Sequence, residues 1–186
     1  AIQAFEAADT TQSQPRNAIL CIGSSSMKRW HADIKDDLAP LTVIPRGFGG
    51  STMNDLLYYT DRIVLPYKPR AILIYEGEND TAHGVASEKV ATTFRAFLKK
   101  VHRELPHCRI YLISPKPSIK RWSIWPKIQK TNTLLAAECA KDKRLTYIDV
   151  SPIMLDSEGQ PKKHIFAKDN LHMNRSGYEL WTQTIE

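Results

Sequence analysis

The chain has 186 residues, of which 42% are hydrophobic and 9% aromatic, and this is enough apolar material for one globular domain with a buried core. The net charge is +6, but the lysines and arginines are scattered and accompany no RNA-binding or recognition-helix motif, which argues against a nucleic-acid partner. No apolar run reaches the roughly 18 residues of a membrane span, and no charged-then-apolar segment at the start indicates an export signal.

Five short runs of apolar, β-branched and aromatic residues recur along the chain and predict β-strands. Runs of this kind are typical of strands that are buried on both faces of a sheet. In chain order the predicted strands cover residues 18–23, 41–45, 71–77, 109–114 and 145–150.

Helical patterns separate the predicted strands. The clearest begins at Ser87, a predicted N-cap, and places apolar side chains on one face until Pro106 ends it. A second apolar face covers residues 53–64, Pro126 opens a third helix, and a last helix begins near Asn174 and is still running at residue 186.

Five repeats of a strand followed by a helix predict an α/β domain with a parallel sheet and helices on both of its faces. Neither an internal repeat nor a linker divides the chain. We therefore expect a single domain over residues 1–186, with residues 1–16 as an N-terminal extension. In such sheets ligands bind at the carboxyl ends of the strands.

Segments rich in Gly, Ser, Asn and Asp follow the first three predicted strands, and a further one precedes the last helix. Any one of them alone is more typical of an ordinary βα loop. Together they bring a serine, a histidine with a nearby carboxylate, and amide donors to one edge of the sheet, which is the set of groups that acyl transfer needs. The segments read "GSSS", "RGFGGST", "EGENDTAHG" and "DNLHMNRSGY".

Four motifs within these segments, "GSSS", "GFGGST", "GEND" and "DNLH", resemble in order and spacing the four blocks of the SGNH, or GDSL-like, hydrolase superfamily. The resemblance runs from Ala18 to Ile185 and is nearest to the branch around platelet-activating-factor acetylhydrolase-like esterases. It implies a flavodoxin-like three-layer α/β/α sandwich with a five-stranded parallel sheet. Ser24 stands where most members carry Asp, which leaves the hydrogen bonds of the first loop open.

The resemblance also implies a role for individual residues. Ser25 matches the nucleophile, and Asp169 and His172 match the residues that complete a catalytic triad. The backbone amides of Ser25 and Gly50 and the side-chain amide of Asn79 match the donors of the oxyanion hole.

These residue types suit ester hydrolysis on chemical grounds as well. A serine hydroxyl attacks an ester only if a base takes its proton, and imidazole is suited to that near neutral pH. A carboxylate three residues before the histidine can reach its other ring nitrogen and stabilise the imidazolium. A glycine as second donor lets its backbone N–H approach the oxyanion without a Cβ in the way.

A basic segment, residues 109–130, contains six lysines and arginines, two tryptophans and no acid. A solvated loop is the default interpretation. Because the middle of the segment leaves the fourth strand at the same edge, its side chains are alternatively expected to wall the site and to favour an anionic or ring-bearing substrate. These side chains are Lys116, Lys120, Arg121, Trp122 and Trp125. His83, just after "GEND", is a further candidate for lining the pocket.

The sequence thus predicts a serine esterase that acts on a small acyl ester, acetyl or another short chain, through an acyl-enzyme. No cofactor or metal is expected, because no spacing of His, Asp and Cys matches a zinc site and no Walker loop is present. Two alternatives are a phosphate-binding flavodoxin-like module and a non-catalytic carbohydrate-binding relative. The natural substrate and the oligomeric state stay open. Because the chain begins with Ala1 rather than Met, both an exported and a cytoplasmic location also stay open.

Overall fold

The computed structural model describes residues 1–185, so the predicted continuation of the last helix to residue 186 lies outside the described residues. The strands are β1 (Ile19–Gly23), β2 (Val43–Gly47), β3 (Ala71–Tyr75), β4 (Arg109–Ile113) and β5 (Leu145–Ile148). The helices are α1 (Ile2–Thr11), α2 (Ser25–Trp30), α3 (Ile34–Asp37), α4 (Met53–Ile63), α5 (Glu78–Ala82), α6 (Ser87–Glu104), α7 (Trp125–Cys139), α8 (Ser151–Met154) and α9 (Arg175–Ile185). Short 3-10 turns cover Leu65–Tyr67, Trp122–Ile124 and Lys163–Ile165.

The five strands form one parallel sheet in the order β2-β1-β3-β4-β5. The chain leaves β1 towards β2 on one side and then returns to place β3 on the other side, so the strand order reverses next to β1. Crevices at such a reversal, at the carboxyl ends of the strands, are where α/β sheets bind ligands. In the register of the sheet Gly23 pairs with both Gly47 and Tyr75, so the segments that follow β1, β2 and β3 start level with one another.

Alternation of side chains along the strands divides the core into two layers. Leu20, Ile22, Ile72 and Ile74 face one side, where they pack with the apolar faces of α4, α6 and α7. Cys21, Leu73 and Tyr75 face the other side, where α2, α3, α8 and α9 cover them, with Trp30 and Trp181 fully buried. The result is a three-layer α/β/α sandwich, as predicted.

The structure differs from the predicted elements at three points. Strand β5 lies at the edge of the sheet and is half-exposed along its length, whereas full burial was expected. The segments after β1 and β3 were expected to be loops, but α2 begins two residues after β1 ends and α5 occupies most of "ENDTA". Residues 1–16, expected as an extension, contain α1, whose Ile2 and Phe5 pack against the core.

None of the helices in the described part of the chain is both long and apolar enough to cross a membrane.

Candidate active site

Ser25 is the first residue of α2, and the backbone around it rests directly on the sheet. The amide of Ser24 donates to the carbonyl of Tyr75 at 3.0 Å. A Cβ at Gly23 would overlap that same carbonyl, and a Cβ at Gly47 would overlap the backbone of Lys28 in α2. Gly23 therefore lets the end of β1 lie against the backbone of β3, and Gly47 lets α2 lie against the backbone of β2.

The three serines of the first motif differ in their access to solvent. Ser24 and Ser26 are 3% and 2% exposed, and Ser25 is partly exposed. Ser24 occupies the N-cap position, but its side chain bonds no amide of the helix. Ser25 is thus the serine of this motif that combines access with a bonding partner.

That partner is His172, whose Nε2 lies 2.8 Å from the Oγ of Ser25. On the other side of the ring, Nδ1 lies 2.6 Å from Oδ2 of Asp169. The carboxylate is held by the segment itself, because its Oδ1 accepts from the backbone amides of Leu171 and His172 at 3.0 and 2.9 Å. The three side chains therefore form one continuous chain of hydrogen bonds.

The charge of Asp169 fixes how this chain of hydrogen bonds is polarised. Burial would raise the pKa of Asp169, but the hydrogen bonds from His172 and Leu171 outweigh it and hold the pKa well below the usual range. Arg29 adds a cation 3.4 Å away. An ionised carboxylate can only accept, so Nδ1 of His172 carries the proton and Nε2 is free to accept from Ser25.

The second predicted donor, Gly50, lies on the surface after β2, with a left-handed φ of 78°. A Cβ added there would meet nothing within 4 Å. The positive φ, which L side chains rarely adopt, is a second reason for a glycine here, beside the predicted close approach of its N–H to the oxyanion.

Asn79, in α5, is 8% exposed and its side-chain amide has a partner at each end. Its Nδ2 donates to the backbone carbonyl of Ser51 at 2.9 Å. Its Oδ1 accepts from Nη2 of Arg121 at 3.0 Å. The amide links the segment after β2 to the basic segment after β4.

Two buried glutamates flank Gly77, and sequence reasoning missed both. Glu76 accepts a hydrogen bond from the hydroxyl of Ser51, and its second carboxyl oxygen has no partner. Burial raises the pKa of Glu76 well above its usual range, and the nearby carboxylates Asp80 and Asp55 add to the effect. Burial therefore favours the neutral, protonated form of Glu76.

Glu78 has the opposite character. Its carboxylate accepts from Lys116 at 3.0 Å and from the hydroxyl of Tyr75, and it forms an ion pair with Arg121 at 3.1 Å. Burial alone would raise the pKa of Glu78, but the charges of Lys116 and Arg121 outweigh it and hold the pKa below its usual value. Glu78 is therefore a buried anion between two cations.

This network corrects the expectation for the basic segment. The segment contains no acid of its own, but Glu78 comes from another strand end and compensates part of its charge. Lys116 is fully buried, so it cannot wall a site as a free cation. A signal was present in the sequence, since Lys116 lies between two prolines directly after a buried strand, where a lysine has little access to water.

Of the remaining candidates, Lys120, Trp122 and His83 lie nearer the surface, and Trp125 is buried. Lys120 is exposed, and its backbone amide donates to the carbonyl of Asn170 at 2.9 Å, which ties the basic segment to the turn that carries Asp169. Trp122 and Trp125 stack with ring centroids 5.9 Å apart. His83 is exposed at the end of α5. The structure thus brings Lys120 close to the turn of Asp169 and places His83 at the surface beyond α5.

Another histidine, outside these motifs, supports the loop of Gly50. The amide of Gly47 donates to Nε2 of His31 at 2.7 Å. Burial lowers the pKa of His31 to about 4, helped by the charges of Arg46 and Lys28. A neutral imidazole can accept this bond. Among residues 1–185, no three His, Cys, Asp or Glu side chains cluster in a way that could hold a metal ion.

Comparison with known proteins shows which family the sequence matches. Residues 11–180 match the GDSL-like Lipase/Acylhydrolase family. Platelet-activating factor acetylhydrolase IB subunit alpha1 from Pongo abelii and from Homo sapiens is 26% identical over 175 residues, which are 92% of this chain and 74% of each relative.

Solved structures share the fold. A GDSL-like lipase from Bacteroides thetaiotaomicron has a TM-score of 0.81 at 19% identity and covers 99% of this chain and 94% of its own. A catalytic mutant of the acetylxylan esterase Axe2 from Geobacillus stearothermophilus has a TM-score of 0.74 at 14% identity, with 92% of this chain and 93% of its own covered. At these identities the likeness concerns the fold.

Proposed function

The chain belongs to the GDSL-like lipase/acylhydrolase family and is a carboxylic ester hydrolase, and we propose that it cleaves small acyl esters with Ser25 as nucleophile, His172 as base and Asp169 as the orienting carboxylate. The observation that carries the proposal is the unbroken chain of hydrogen bonds through these three side chains, with 2.8 and 2.6 Å links at the two ring nitrogens. Ser24 and Ser26 lack both the access and the partner.

In the first step the Oγ of Ser25 attacks the ester carbonyl while Nε2 of His172 takes its proton. The imidazolium that forms lies against ionised Asp169, which stabilises it without accepting the proton. The imidazolium then gives its proton to the leaving alkoxide, and the acyl group stays on Ser25. A water molecule activated by the same nitrogen releases the acid in the second half of the reaction.

The tetrahedral intermediates carry a negative oxygen that needs fixed donors. We assign this part to the backbone amides of Ser25 and Gly50 and to the side-chain amide of Asn79. An amide nitrogen carries two protons, and the Asn79 amide gives one to Ser51, so the other is available for the oxyanion. Donors of this kind act in the transition state, where the charge appears, and hardly in the ground state.

For the acyl group we propose acetyl or another short chain. The names of two relatives, a platelet-activating factor acetylhydrolase and an acetylxylan esterase, both refer to acetyl esters. Around the reacting centre we propose that His83, Lys120 and the stacked pair Trp122 and Trp125 contact the remainder of the substrate. Which lipid, sugar or aryl group that remainder is does not follow from the triad.

The test is turnover of p-nitrophenyl acetate by Ser25→Ala, with Ser24→Ala as the matched control. We expect Ser25→Ala to lower kcat by about 10⁴-fold or more with the fold intact, because only the nucleophile is lost. Ser24→Ala removes a hydroxyl that caps nothing and should cost far less. Near-wild-type turnover by Ser25→Ala, or labelling of another serine by a fluorophosphonate, would contradict the assignment. Wild-type protein without turnover of any short acyl ester would favour a non-catalytic binding module.

A further inference from the structure

The orientation of the Asn79 amide is set by a cation from a different part of the chain. Side-chain amides have two orientations that exchange nitrogen and oxygen, and the hydrogen-bond partners decide between them. In the flipped orientation Nδ2 would face the guanidinium of Arg121, donor against donor, and Oδ1 would face the carbonyl of Ser51, acceptor against acceptor. The observed pair of bonds, 2.9 Å to Ser51 and 3.0 Å from Arg121, therefore admits one orientation.

We propose that Arg121 is a positioning residue for the oxyanion hole, acting through Asn79 without touching the reacting atoms. This rests on the proposed function, in which Asn79 donates to the oxyanion. Arg121 keeps the free N–H of Asn79 directed at the reacting carbonyl. Its charge also polarises the amide, because a hydrogen bond from a cation to Oδ1 makes the N–H groups stronger donors.

Arg121 is itself held in place from two sides. Its Nη1 pairs with buried Glu78 at 3.1 Å, and its backbone amide donates to Oγ of Ser118 at 3.3 Å. Its side chain is 19% exposed. Lys116 supplies a second cation to the same carboxylate, so Glu78 ties Arg121 to the end of β4 and gives it a fixed partner.

This assignment changes the meaning of the basic segment. From the sequence alone a solvated loop was the default interpretation, and the alternative was a wall of cations with Arg121 as a binding residue for an anionic substrate. In the structure two of the amino groups of Arg121 already face Glu78 and Asn79. An effect of Arg121 on catalysis should therefore appear with a neutral ester and in kcat, because it reaches the transition state through Asn79.

The experiment measures kcat and KM for p-nitrophenyl acetate in Arg121→Ala, Asn79→Ala and the double variant. We expect Asn79→Ala to lower kcat by about 10² to 10³ and Arg121→Ala by about 10- to 100-fold, each with little change in KM. The double variant should be no slower than Asn79→Ala alone, because Arg121 has nothing left to position. Millimolar guanidinium should restore part of the kcat of Arg121→Ala.

Two further variants separate positioning from structure. Arg95→Ala is the matched control, because Arg95 also pairs with a buried glutamate, Glu138, but this pair links α6 to α7. The Arg95→Ala variant should keep wild-type kcat. Arg121→Lys keeps a charge beside Glu78, but one ammonium does not reproduce the planar fork that bonds both partners. It should fold like the wild type and still lose kcat.

The outcomes also distinguish this proposal from the one on which it rests. Full turnover by Ser25→Ala would remove the proposed nucleophile, and full turnover by Asn79→Ala would remove Asn79 from the proposed oxyanion hole. If those variants lose activity as expected, three results would overturn the role of Arg121 alone. These are wild-type kcat in Arg121→Ala or Arg121→Lys, an effect confined to KM, or a loss that multiplies with that of Asn79→Ala in the double variant.

Discussion

Asn79 is held between two anchors of opposite electrostatic character. The Ser51 anchor, formed by Ser51 and Glu76, is the neutral one, since a backbone carbonyl accepts from Asn79 and burial favours the protonated form of the glutamate that accepts from the hydroxyl of Ser51. The Arg121 anchor, formed by Arg121, Glu78, Lys116 and Tyr75, is charged throughout its centre.

The difference shows that burial alone does not decide the state of a carboxyl group. Glu76 and Glu78 are two residues apart and are 1% and 4% exposed, yet their pKa values move in opposite directions. Desolvation acts on both, and the cations reach only one. The charged groups therefore lie on the Oδ1 side of Asn79, where the guanidinium of Arg121 can polarise the amide oxygen.

Breaking the Arg121 anchor at Lys116 should have the largest effect on stability. Lys116→Met leaves buried Glu78 with half of its compensating charge, and removal of one partner from a buried ion pair costs about 3–5 kcal/mol. Urea unfolding followed by circular dichroism measures the loss. The control is Lys141→Met, because Lys141 pairs with Glu138 but is 61% exposed; it should cost less than about 1 kcal/mol. Equal stability of the two variants would contradict the charged description of this anchor.

Breaking the Ser51 anchor should cost less. Ser51→Ala removes the hydroxyl that bonds Glu76 and leaves a buried acceptor unpaired, so we expect about 1–3 kcal/mol in the free energy of unfolding. The acceptor of Asn79 is the backbone carbonyl of Ser51, which the substitution keeps. The fall in kcat should therefore be clearly smaller than that of Arg121→Ala, when both are assayed on the same ester. A larger fall would mean that the neutral anchor sets the orientation of the amide.

Glu76→Gln should have the smallest effect, and its sign should depend on pH. The folded pKa of Glu76 is raised above the unfolded value, so the native state holds the proton longer, and the wild type loses stability as pH rises from the unfolded pKa through the folded one. Gln removes this contribution. The variant should be within about 1 kcal/mol of the wild type near pH 5 and should gain on it as pH rises to about 8.

Unfolding curves of both proteins across this range measure the difference, and a difference that stays constant with pH would contradict the raised pKa. Glu78 should behave oppositely. Its folded pKa is lowered, so its stabilising contribution is complete above the unfolded pKa and is lost as pH falls through the folded pKa.

The layout of the fold follows from local patterns. Periodicity identifies α6, whose pattern from Ser87 repeats over about five turns, whereas the continuous apolar runs of β1, β3 and β4 are identified as strands by their short length and their β-branched and aromatic residues. The half-exposed state of β5 could not be read in this way, because a strand's place at the edge of a sheet depends on the order of strands and not on its own residues.

The triad candidates and the Arg121 anchor differ in how far the sequence could reveal them. Asp169 and His172 are three residues apart, and the carboxylate bonds the amide and ring of the histidine within one turn, so the spacing carries the contact. Glu78 and Lys116 lie on different strand ends and meet only after β3 and β4 pair. Counting charges within residues 109–130 alone therefore misses Glu78, which pairing of the strands brings to this segment.

Beneath the nucleophile the protein has two places where backbone meets backbone with no side chain between. At Gly47 the backbone of β2 touches the backbone of α2, and at Gly23 the end of β1 touches the backbone of β3, so the position of Ser25 does not depend on the rotamer of any intervening residue. In a complete scan of single substitutions, these two sites should therefore reject every replacement, alanine included, although neither contacts a substrate. In such a scan, the two glycines should tolerate substitution as poorly as the reacting residues do, because they fix the backbone on which the nucleophile lies.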